Sequence, residues 1–479
     1  MRASWPWAAV GCIAVLVRCY RLDHFSYWLD EIIDVYTLRA PWPAMWRSLR
    51  EGVYNPPLNY TLLKTIEGFG PSDGTRRLVP ALCGTACVLV FGWLITRRST
   101  RAIGLTASVL LAFAPYHVRY SQEVRPYSLG MLLVCLSLLL LDMYLERPDW
   151  KRLTLLLLSC LAAAYTMYLA ALMVMIAGGA LLVGDSFSLD AVRRQTTRRF
   201  LSRSPLYAAA LALGYSPWLA VVFRAVGSPA SSAAPDFRWA RAGRLLSYFG
   251  FAQSDWHPLG AAGLFFSLLV SAGILIGLRH YRLSFVVVWA LGGLATVELL
   301  EHRHPAYDSV FHYIPAGMAL TALAAVTVGW LLGSPARRLG GVALLVLALI
   351  LDGRALGTYF QRGRPDWRPL AEFLRQRPAS ETIFTSSQYA QLCVGYYVVG
   401  PDWLCCRTGG ERDVISVDNR VSRLLEVWKG DRPAWLVLPG HHEAQELRDW
   451  SVRYDSLAFP TAEGDGGAVV KRLVPERPP

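Results

Sequence analysis

The chain has 479 residues, of which 54% are hydrophobic and only 17% are charged, and its mean hydropathy is +0.32. A soluble protein carries more charge and lacks repeated apolar runs of membrane length, so this composition predicts a polytopic membrane protein. The net charge of +13 comes largely from arginines in short loops between apolar runs. We interpret it as a topology signal and an attraction to lipid headgroups, and predict no nucleic-acid partner.

The first predicted element is a membrane helix over Trp5–Tyr20. It lacks a small-residue cleavage site, which predicts a retained helix and not a signal peptide. Arg18 and Arg21 lie at its far end, where long cationic side chains can snorkel to the membrane interface.

An acidic stretch, Ser26–Asp34, follows this helix and begins a long loop over 21–77 on the outer side. It places Asp30 and Glu31 within a few residues of the bilayer, beside Tyr27. Carboxylates next to aromatic rings at a membrane face are costly to desolvate, so they need a reason to be there, and one such reason is a catalytic role. The alternative from the residues alone is a solvated acidic loop.

Two further features occupy this loop. The apolar residues of Ile32–Leu49 have the spacing of a surface-lying amphipathic helix. The segment Tyr54–Tyr60 then breaks the chain, because its paired prolines cannot lie inside a helix but can open one.

Apolar runs of membrane length continue through the first three quarters of the chain. The run 153–183 is too long for one span, and we divide it near Tyr165–Tyr168, which predicts about eleven spans in all. The other runs are 78–96, 102–118, 127–145, 206–223, 259–278, 283–300, 311–332 and 339–352.

Arginine and lysine in the short loops support this count. With a cytoplasmic N-terminus, every predicted inner loop is rich in positive charge, as the positive-inside rule requires. The acidic stretch, the segment 114–126, the loop 224–258 and the C-terminal part are then all outside. The inner-loop charges are Arg97, Arg98, Arg101, Arg147, Lys151, Arg152, Arg193, Arg194, Arg198, Arg199, Arg203, Arg279, Arg282, Arg337 and Arg338.

From residue 354 the composition becomes that of a soluble protein, which predicts a membrane domain over 1–353 and a small α/β domain over 354–479. Strands are predicted at Trp435–Leu438 and Ala468–Val470, and helices at Trp367–Arg377 and Glu443–Trp450.

The cysteines and histidines of this domain allow few conclusions. Cys393 could form a disulfide with Cys405 or Cys406 in an oxidising compartment, but the sequence does not choose between them. The cluster His441–Glu443 is more typical of a solvated turn than of a metal site.

A second polar constellation is the segment Pro115–Ser128, predicted as a very short outer turn between two spans. It carries Arg119, Glu123 and Arg125 among tyrosines that include Tyr127. Arginine forks bind phosphate in a bidentate manner, and the phosphates available at a membrane surface belong to lipids. The alternative is interfacial snorkelling within an aromatic belt.

Four motifs in register give the chain a family resemblance. YWLDE from Tyr27, NPPLNY from Asn55, RLVPAL from Arg77 and YSQEVRPYSL from Tyr120 occur in that order. Together they resemble the GT-C superfamily of membrane glycosyltransferases, in the branch of the protein O-mannosyltransferases, the lipid A aminoarabinose transferase and bacterial relatives. The resemblance covers the first 145 residues well and continues more loosely to 312 and 366.

This resemblance implies an inverting enzyme that moves a sugar from a polyprenyl-phosphate donor to a hydroxyl at the outer face of the cell membrane. Asp30 would be the base, and Glu31 would position the acceptor or support a metal. Arg119 and Arg125 would bind the donor phosphate, with Glu123 orienting them. Residues expected to line the substrate are Tyr27, Asn55, Tyr60, Tyr127, His312 and Tyr313.

The chain departs from the family pattern in two places. Relatives often have His-Pro-Pro or Glu-Lys-Pro-Pro where this chain has Asn55-Pro56-Pro57, so a charged or metal-binding partner is missing there. They commonly have Arg-Tyr where this chain has His312-Tyr313, which weakens the case for phosphate contact at that point. No cofactor is certain, and a divalent metal is an open alternative.

Other function classes remain open from the sequence. A ligase or oligosaccharide transferase would use a larger lipid-linked glycan. A transporter or flippase would place its charges at mid-membrane on broken helices, whereas here they collect at the outer rim. A non-catalytic receptor would tolerate loss of Asp30. The sequence identifies neither the sugar nor the acceptor.

Overall fold

The computed structural model describes residues 4–52, 55–227, 245–246, 248–250, 260–280, 282–303, 310–362, 366–400, 413–417, 421–428, 433–439, 456–458 and 468–473. Two compact units divide the chain. The first comprises 1–20, 46–65 and 76–357, and the second 21–45, 66–75 and 358–479. The predicted division between 353 and 354 stays a prediction, but this grouping joins parts of the first loop to the C-terminal residues.

The membrane part is helical, as predicted, and a helix lies on each predicted apolar run. Within the part of the chain that the structure describes, seven helices are long and apolar enough to cross a membrane, and a bent helix pair raises this to eight. Trp5–Cys19 and Ser284–Leu300 are shorter apolar helices. The count of about eleven spans stays a prediction. The helices are Trp5–Cys19, Asp73–Arg98, Arg101–Phe113 with Pro115–Ser121, Tyr127–Glu146, Trp150–Thr166, Tyr168–Ser186, Ala191–Gly227, Ala261–Arg279, Ser284–Arg303, Ile314–Leu332 and Arg338–Arg362.

The predicted division near Tyr165–Tyr168 is confirmed. The helix Trp150–Thr166 ends and Tyr168–Ser186 begins on either side of Met167, whose backbone is extended at φ −160° and ψ 130°. A single extended residue suffices to separate the two helices, so the apolar run holds two helices and not one long one.

The first loop contains three helices, Leu29–Arg39, Trp42–Glu51 and Leu58–Glu67. The single helix predicted over Ile32–Leu49 is therefore wrong. Pro41 forces the preceding Ala40 out of the helical region, to φ −58° and ψ 147°, and ends the first helix there. The paired prolines open the third helix as predicted.

A buried ion cluster joins the ends of helices that are far apart in sequence. Arg98 donates to Asp185 at 2.9 Å and to Asp142 at 3.1 Å. Arg193 lies between the same two carboxylates, and Arg97 donates to Asp142 at 2.7 Å and pairs with Glu146. Three cations and three anions balance, so these arginines, predicted only as inner-loop charges, stabilise helix packing.

The C-terminal residues form the predicted α/β arrangement. Five strands, β1 (Thr382–Thr385), β2 (Val414–Ser416), β3 (Ala434–Pro439), β4 (Ser456–Ala458) and β5 (Ala468–Leu473), make one sheet of order β2-β1-β3-β5-β4. The first three are parallel, and β5 runs antiparallel to β3 and β4. The predicted strands at 435 and 468 are confirmed, while β1 and β2 lacked a clear sequence signal.

Helices and cysteines complete this part of the chain. The predicted helix at 367–377 is Arg368–Arg375, and the further helices among the described residues are Gln388–Val394, a π-helix over Gly395–Val399 and Val421–Val427. Cys393 is a buried free thiol. The predictions on Cys405, Cys406, His441–Glu443 and Glu443–Trp450 lie outside the described residues, as does most of the loop 224–258.

Candidate functional site

The acidic stretch forms the first turns of the helix Leu29–Arg39, in the second unit. Asp30 and Glu31 lie in its first turn, where the helix dipole favours negative charge. Successive helical side chains diverge by about 100°, and their burial follows this: Asp30 is half-buried, whereas Glu31 is fully buried. A fully buried Asp34 lies one turn beyond Asp30.

Asp34 has the i, i+4 spacing that places it on the same face as Asp30, so a helical interpretation of the stretch would have added it to the candidate carboxylates.

Tyr27, predicted to line the substrate, is fully buried just before this helix. Its hydroxyl donates to the Asp73 carbonyl at 3.2 Å, and its backbone N–H donates to the Tyr397 hydroxyl at 2.6 Å. Its ring packs edge-on against Tyr396, with the ring centroids 5.8 Å apart. Tyr27 thus joins the acidic helix to two other segments of the second unit.

The remaining predicted residues belong to the first unit, beginning with the paired-proline segment. The Asn55 amide donates to the hydroxyl of the buried Tyr60 at 2.8 Å. The intervening prolines open the helix Leu58–Glu67, and Thr61 N–H donates to the Pro57 carbonyl at 2.8 Å. The structure therefore brings this predicted pair into direct contact.

The segment Pro115–Ser128, called the arginine segment below, begins with a short helix, Pro115–Ser121, which is bent by 61° from the helix before it. The predicted very short turn is wrong, because most of this segment is helical and buried, and its outer location stays a prediction. Proline at the first helical position can start a new helix in a new direction, and Pro115 does so here. A bend over 122–126 then leads into the helix Tyr127–Glu146.

Aromatic rings and a buried carboxylate hold the two arginines of this segment. The Arg119 Nε lies 3.7 Å from an oxygen of Glu123, which is fully buried. The Arg125 guanidinium lies over the Tyr127 ring at 5.5 Å and donates to its hydroxyl at 3.3 Å. Tyr127 packs against Tyr120 at 5.1 Å. Both arginines stay partly exposed.

Arg18 stabilises the bend at the start of the arginine segment. The sequence predicted that it would snorkel, and this is wrong, because its side chain is fully buried. It donates to the Leu111 and Ala112 carbonyls at 3.1 Å each, and to Nδ1 of His117 at 2.8 Å. Since arginine can only donate, His117 accepts at Nδ1 and is the Nε2–H tautomer. The carbonyls left open at the helix end are thereby satisfied.

His312 and Tyr313 end a short 3₁₀ turn, Val310–Tyr313. The buried Tyr313 donates from its hydroxyl to Glu298 at 2.6 Å, and His312 stays partly exposed. Among the residues that the structure describes, no group of three or more His, Cys, Asp or Glu side chains could hold a metal ion.

Comparison with known proteins points to one class. Residues 56–220 match the family described as dolichyl-phosphate-mannose-protein mannosyltransferase. That range contains the paired prolines and the whole arginine segment. A search of curated protein sequences finds no match.

Solved structures match over almost the whole chain. ArnT from Cupriavidus metallidurans in the apo state matches with a TM-score of 0.57 and 14% identity, over 98% of this chain and 97% of that one. The same protein bound to undecaprenyl phosphate gives 0.56 and 14% over 98% of each chain. The oligosaccharyltransferase of Archaeoglobus fulgidus, in complex with Zn and sulfate, gives 0.50 and 10% over 91% of this chain and 68% of that one. The chain is therefore a multi-pass membrane protein with the fold of the GT-C superfamily of glycosyltransferases.

Proposed function

We propose that this chain is a glycosyltransferase that moves a sugar from a polyprenyl-phosphate donor to a hydroxyl acceptor at the outer face of the cell membrane. The observation that carries the proposal is its nearly full-length fold match to ArnT, which has been solved with undecaprenyl phosphate bound. The family matched by residues 56–220 supports the same donor class, because its description names dolichyl-phosphate-mannose.

In the proposed reaction Asp30 acts on the acceptor, and Arg119 and Arg125 act on the donor phosphate. The acceptor oxygen attacks the anomeric carbon, the bond from that carbon to the phosphate oxygen breaks, and polyprenyl phosphate leaves with the bonding electrons. Asp30 takes the hydroxyl proton as general base. Arg119 and Arg125 stabilise the charge that develops on the departing phosphate. A phosphate ester leaves readily, so the reaction needs little general-acid assistance.

The other predicted residues have supporting roles in this proposal. Glu123 orients Arg119 through their 3.7 Å contact, and Glu31 positions the acceptor from the same helical turn as Asp30. A divalent metal beside the carboxylates remains an expectation to be assayed. Substrate-lining roles are proposed for Tyr27, Asn55, Tyr60, Tyr127, His312 and Tyr313.

A second candidate is a transferase that uses a larger lipid-linked glycan, which the match to the archaeal oligosaccharyltransferase favours. That match leaves about a third of the archaeal chain without a counterpart, since it covers 68% of it. We therefore favour the transfer of a single sugar.

The test is turnover by the purified full chain in detergent with undecaprenyl-phosphate-mannose and dolichyl-phosphate-mannose. Membrane glycolipids are supplied as hydroxyl acceptors, and released polyprenyl phosphate is measured by mass spectrometry. Repeating the assay with EDTA examines metal dependence. Release that depends on acceptor supports the proposal, and transfer only from an oligosaccharide donor would establish the second candidate instead.

A further inference from the structure

The residues just before the acidic helix are held by side chains from the C-terminal part of the chain. Arg368 donates to the Asp23 carbonyl at 2.9 Å and also bonds the His24 carbonyl. Its guanidinium is fixed in turn by Asp366, at 2.8 Å and 3.0 Å. A planar fork held on one side by a carboxylate can grip two successive carbonyls on the other.

Two more hydrogen bonds hold the next residues of the same backbone segment. The Trp367 backbone N–H donates to the Ser26 hydroxyl at 3.1 Å, and the Tyr27 N–H donates to the Tyr397 hydroxyl at 2.6 Å. Four of the five residues 23–27, all except Phe25, are thus held by these hydrogen bonds shortly before the helix begins at Leu29.

Tyr397 is itself rigidly held. Its hydroxyl accepts from Tyr27 and donates to the Asp73 carboxylate at 3.2 Å, so both of its hydrogen-bonding directions are used. Its carbonyl accepts from Arg375 Nε at 2.9 Å. The residue lies in the π-helix Gly395–Val399, a local irregularity that occurs frequently at functional sites.

We propose that Tyr397 is a positioning residue, which sets the start of the acidic helix and thereby the place of the Asp30 carboxylate. Only the extended Trp28 and the first helical residue, Leu29, separate Tyr27 from Asp30, so a shift of the Tyr27 amide displaces the first helical turn directly. The inference rests on the proposed function, in which Asp30 is the base. It gives the C-terminal domain a role in the chemistry.

The test compares Tyr397→Phe with Trp435→Phe. Each variant keeps an aromatic ring and loses buried hydrogen bonding. Tyr397→Phe loses the bonds to the Tyr27 amide and to the Asp73 carboxylate, and Trp435→Phe loses the 2.6 Å bond from its indole to Glu381 in the C-terminal sheet. With undecaprenyl-phosphate-mannose as donor, Tyr397→Phe should lower kcat by about 10-fold and leave the donor KM unchanged, because small misplacement of a reacting group is costly. Trp435→Phe should leave both constants unchanged.

A second readout does not depend on turnover. Hydrogen exchange of peptides covering 23–34 should accelerate in Tyr397→Phe and stay unchanged in Trp435→Phe, because only the first variant frees the Tyr27 amide. Ser26→Ala, which removes the acceptor of the Trp367 amide, should give the same kcat effect to a smaller extent. Ser26→Ala replaces Tyr397→Phe in the comparison if Tyr397→Phe folds poorly.

Combination with Asp30→Asn separates the outcomes. If Tyr397 acts through Asp30, the double variant should be no slower than Asp30→Asn alone. An inactive Asp30→Asn beside a Tyr397→Phe with normal kcat and normal exchange would overturn the positioning role only. An intact rate in Asp30→Asn would overturn the assignment of the base, whatever Tyr397→Phe does.

Discussion

At the scale of single residues, three carboxylates share the first two turns of one helix and differ in burial. Asp30 is half-buried, whereas Glu31 and Asp34 are almost fully enclosed. A base must reach the acceptor hydroxyl, so the accessible carboxylate is the better candidate. Burial of the other two favours roles in orienting the helix or the acceptor.

Asp30→Asn keeps the size of the side chain and removes its proton affinity. We expect the turnover rate to fall by at least ~10²-fold, the loss typical of general-base removal, with donor binding nearly unchanged. Glu31→Gln and Asp34→Asn should be milder. Steady-state kinetics together with equilibrium binding of undecaprenyl phosphate measure both effects. A severe defect in Glu31→Gln beside an active Asp30→Asn would transfer the role of base to Glu31.

Arg119→Ala and Arg125→Ala remove the proposed phosphate contacts. Each should cost ~2–4 kcal/mol of transition-state stabilisation, a loss of roughly a hundredfold or more in kcat/KM. The detergent melting temperature should change little. Arg337→Ala is the matched control, since that guanidinium stacks on Trp330 at 3.4 Å. Equal turnover in all three variants would leave only the interfacial role for the arginine segment.

At the scale of elements, polar contacts fix how the helices pack. Arg18 joins the helix Trp5–Cys19 to the end of Arg101–Phe113, and the ion cluster joins four further helix ends. In a membrane, where lipid tails are as apolar as leucine, burying hydrocarbon provides little drive for helix association. Such polar contacts and close packing therefore specify helix register.

Asp185→Asn tests the ion cluster. The Asp185 side chain is fully buried between Arg98 and Arg193, so the loss of its charge leaves buried cations without compensation. We expect the free energy of unfolding to fall by ~3–5 kcal/mol. Glu146→Gln is the control within the cluster, because Glu146 is 48% exposed and should cost at most about 1 kcal/mol. Thermal unfolding in detergent compares them, and equal melting temperatures would contradict the structural role.

Gly104→Ala tests the close approach of two helices. A Cβ at Gly104 would lie 2.6 Å from the Gly92 carbonyl oxygen and 1.8 Å from the Thr96 hydroxyl oxygen, so the helices must separate. Overpacking of this kind typically costs ~1–3 kcal/mol. Gly179→Ala, with nothing within 4 Å, should be neutral or slightly stabilising, since alanine is the better helix former. The measurement is the melting temperature of each variant, and a stable Gly104→Ala would count against close packing.

At the scale of the whole molecule, the chain is organised as two units that do not follow its order. Residues 21–45 and 66–75 group with 358–479, so the acidic helix belongs to the same unit as the C-terminal sheet. The arginine bias of the loops predicts that this unit faces the outside. The buried pairing of Arg98 and Arg193 does not weaken that inference, because the rule counts basic residues and not net charge.

Cysteine labelling tests this orientation. In a background without native cysteines, Glu426→Cys should react with a membrane-impermeant maleimide applied to intact cells, and Gln195→Cys should react only after lysis. Both positions are exposed, so accessibility alone does not separate them. The opposite pattern would reverse the topology and with it the proposed reaction at the outer face.

The sequence by itself determined the class of protein, the helices on its apolar runs and most element starts, because hydrocarbon length and proline geometry act locally. It also indicated the acidic stretch and the arginine segment. The single helix predicted over Ile32–Leu49 was wrong because Pro41 ends a helix in the middle of that range, which is again a local signal.

Only the tertiary structure decided which polar groups are partnered, because those contacts join residues remote in sequence. Arg18 meets a carbonyl 93 residues away, and Tyr397 meets Asp73 across 324 residues. Composition and spacing carry no information on such pairs. From the sequence alone, an arginine at the end of a membrane helix is therefore predicted to snorkel, and only the structure shows its buried partners. Long-range hydrogen bonds of this kind join Arg18 to the helix end before Pro115 and Tyr397 to the backbone of Tyr27, and burial away from water strengthens them.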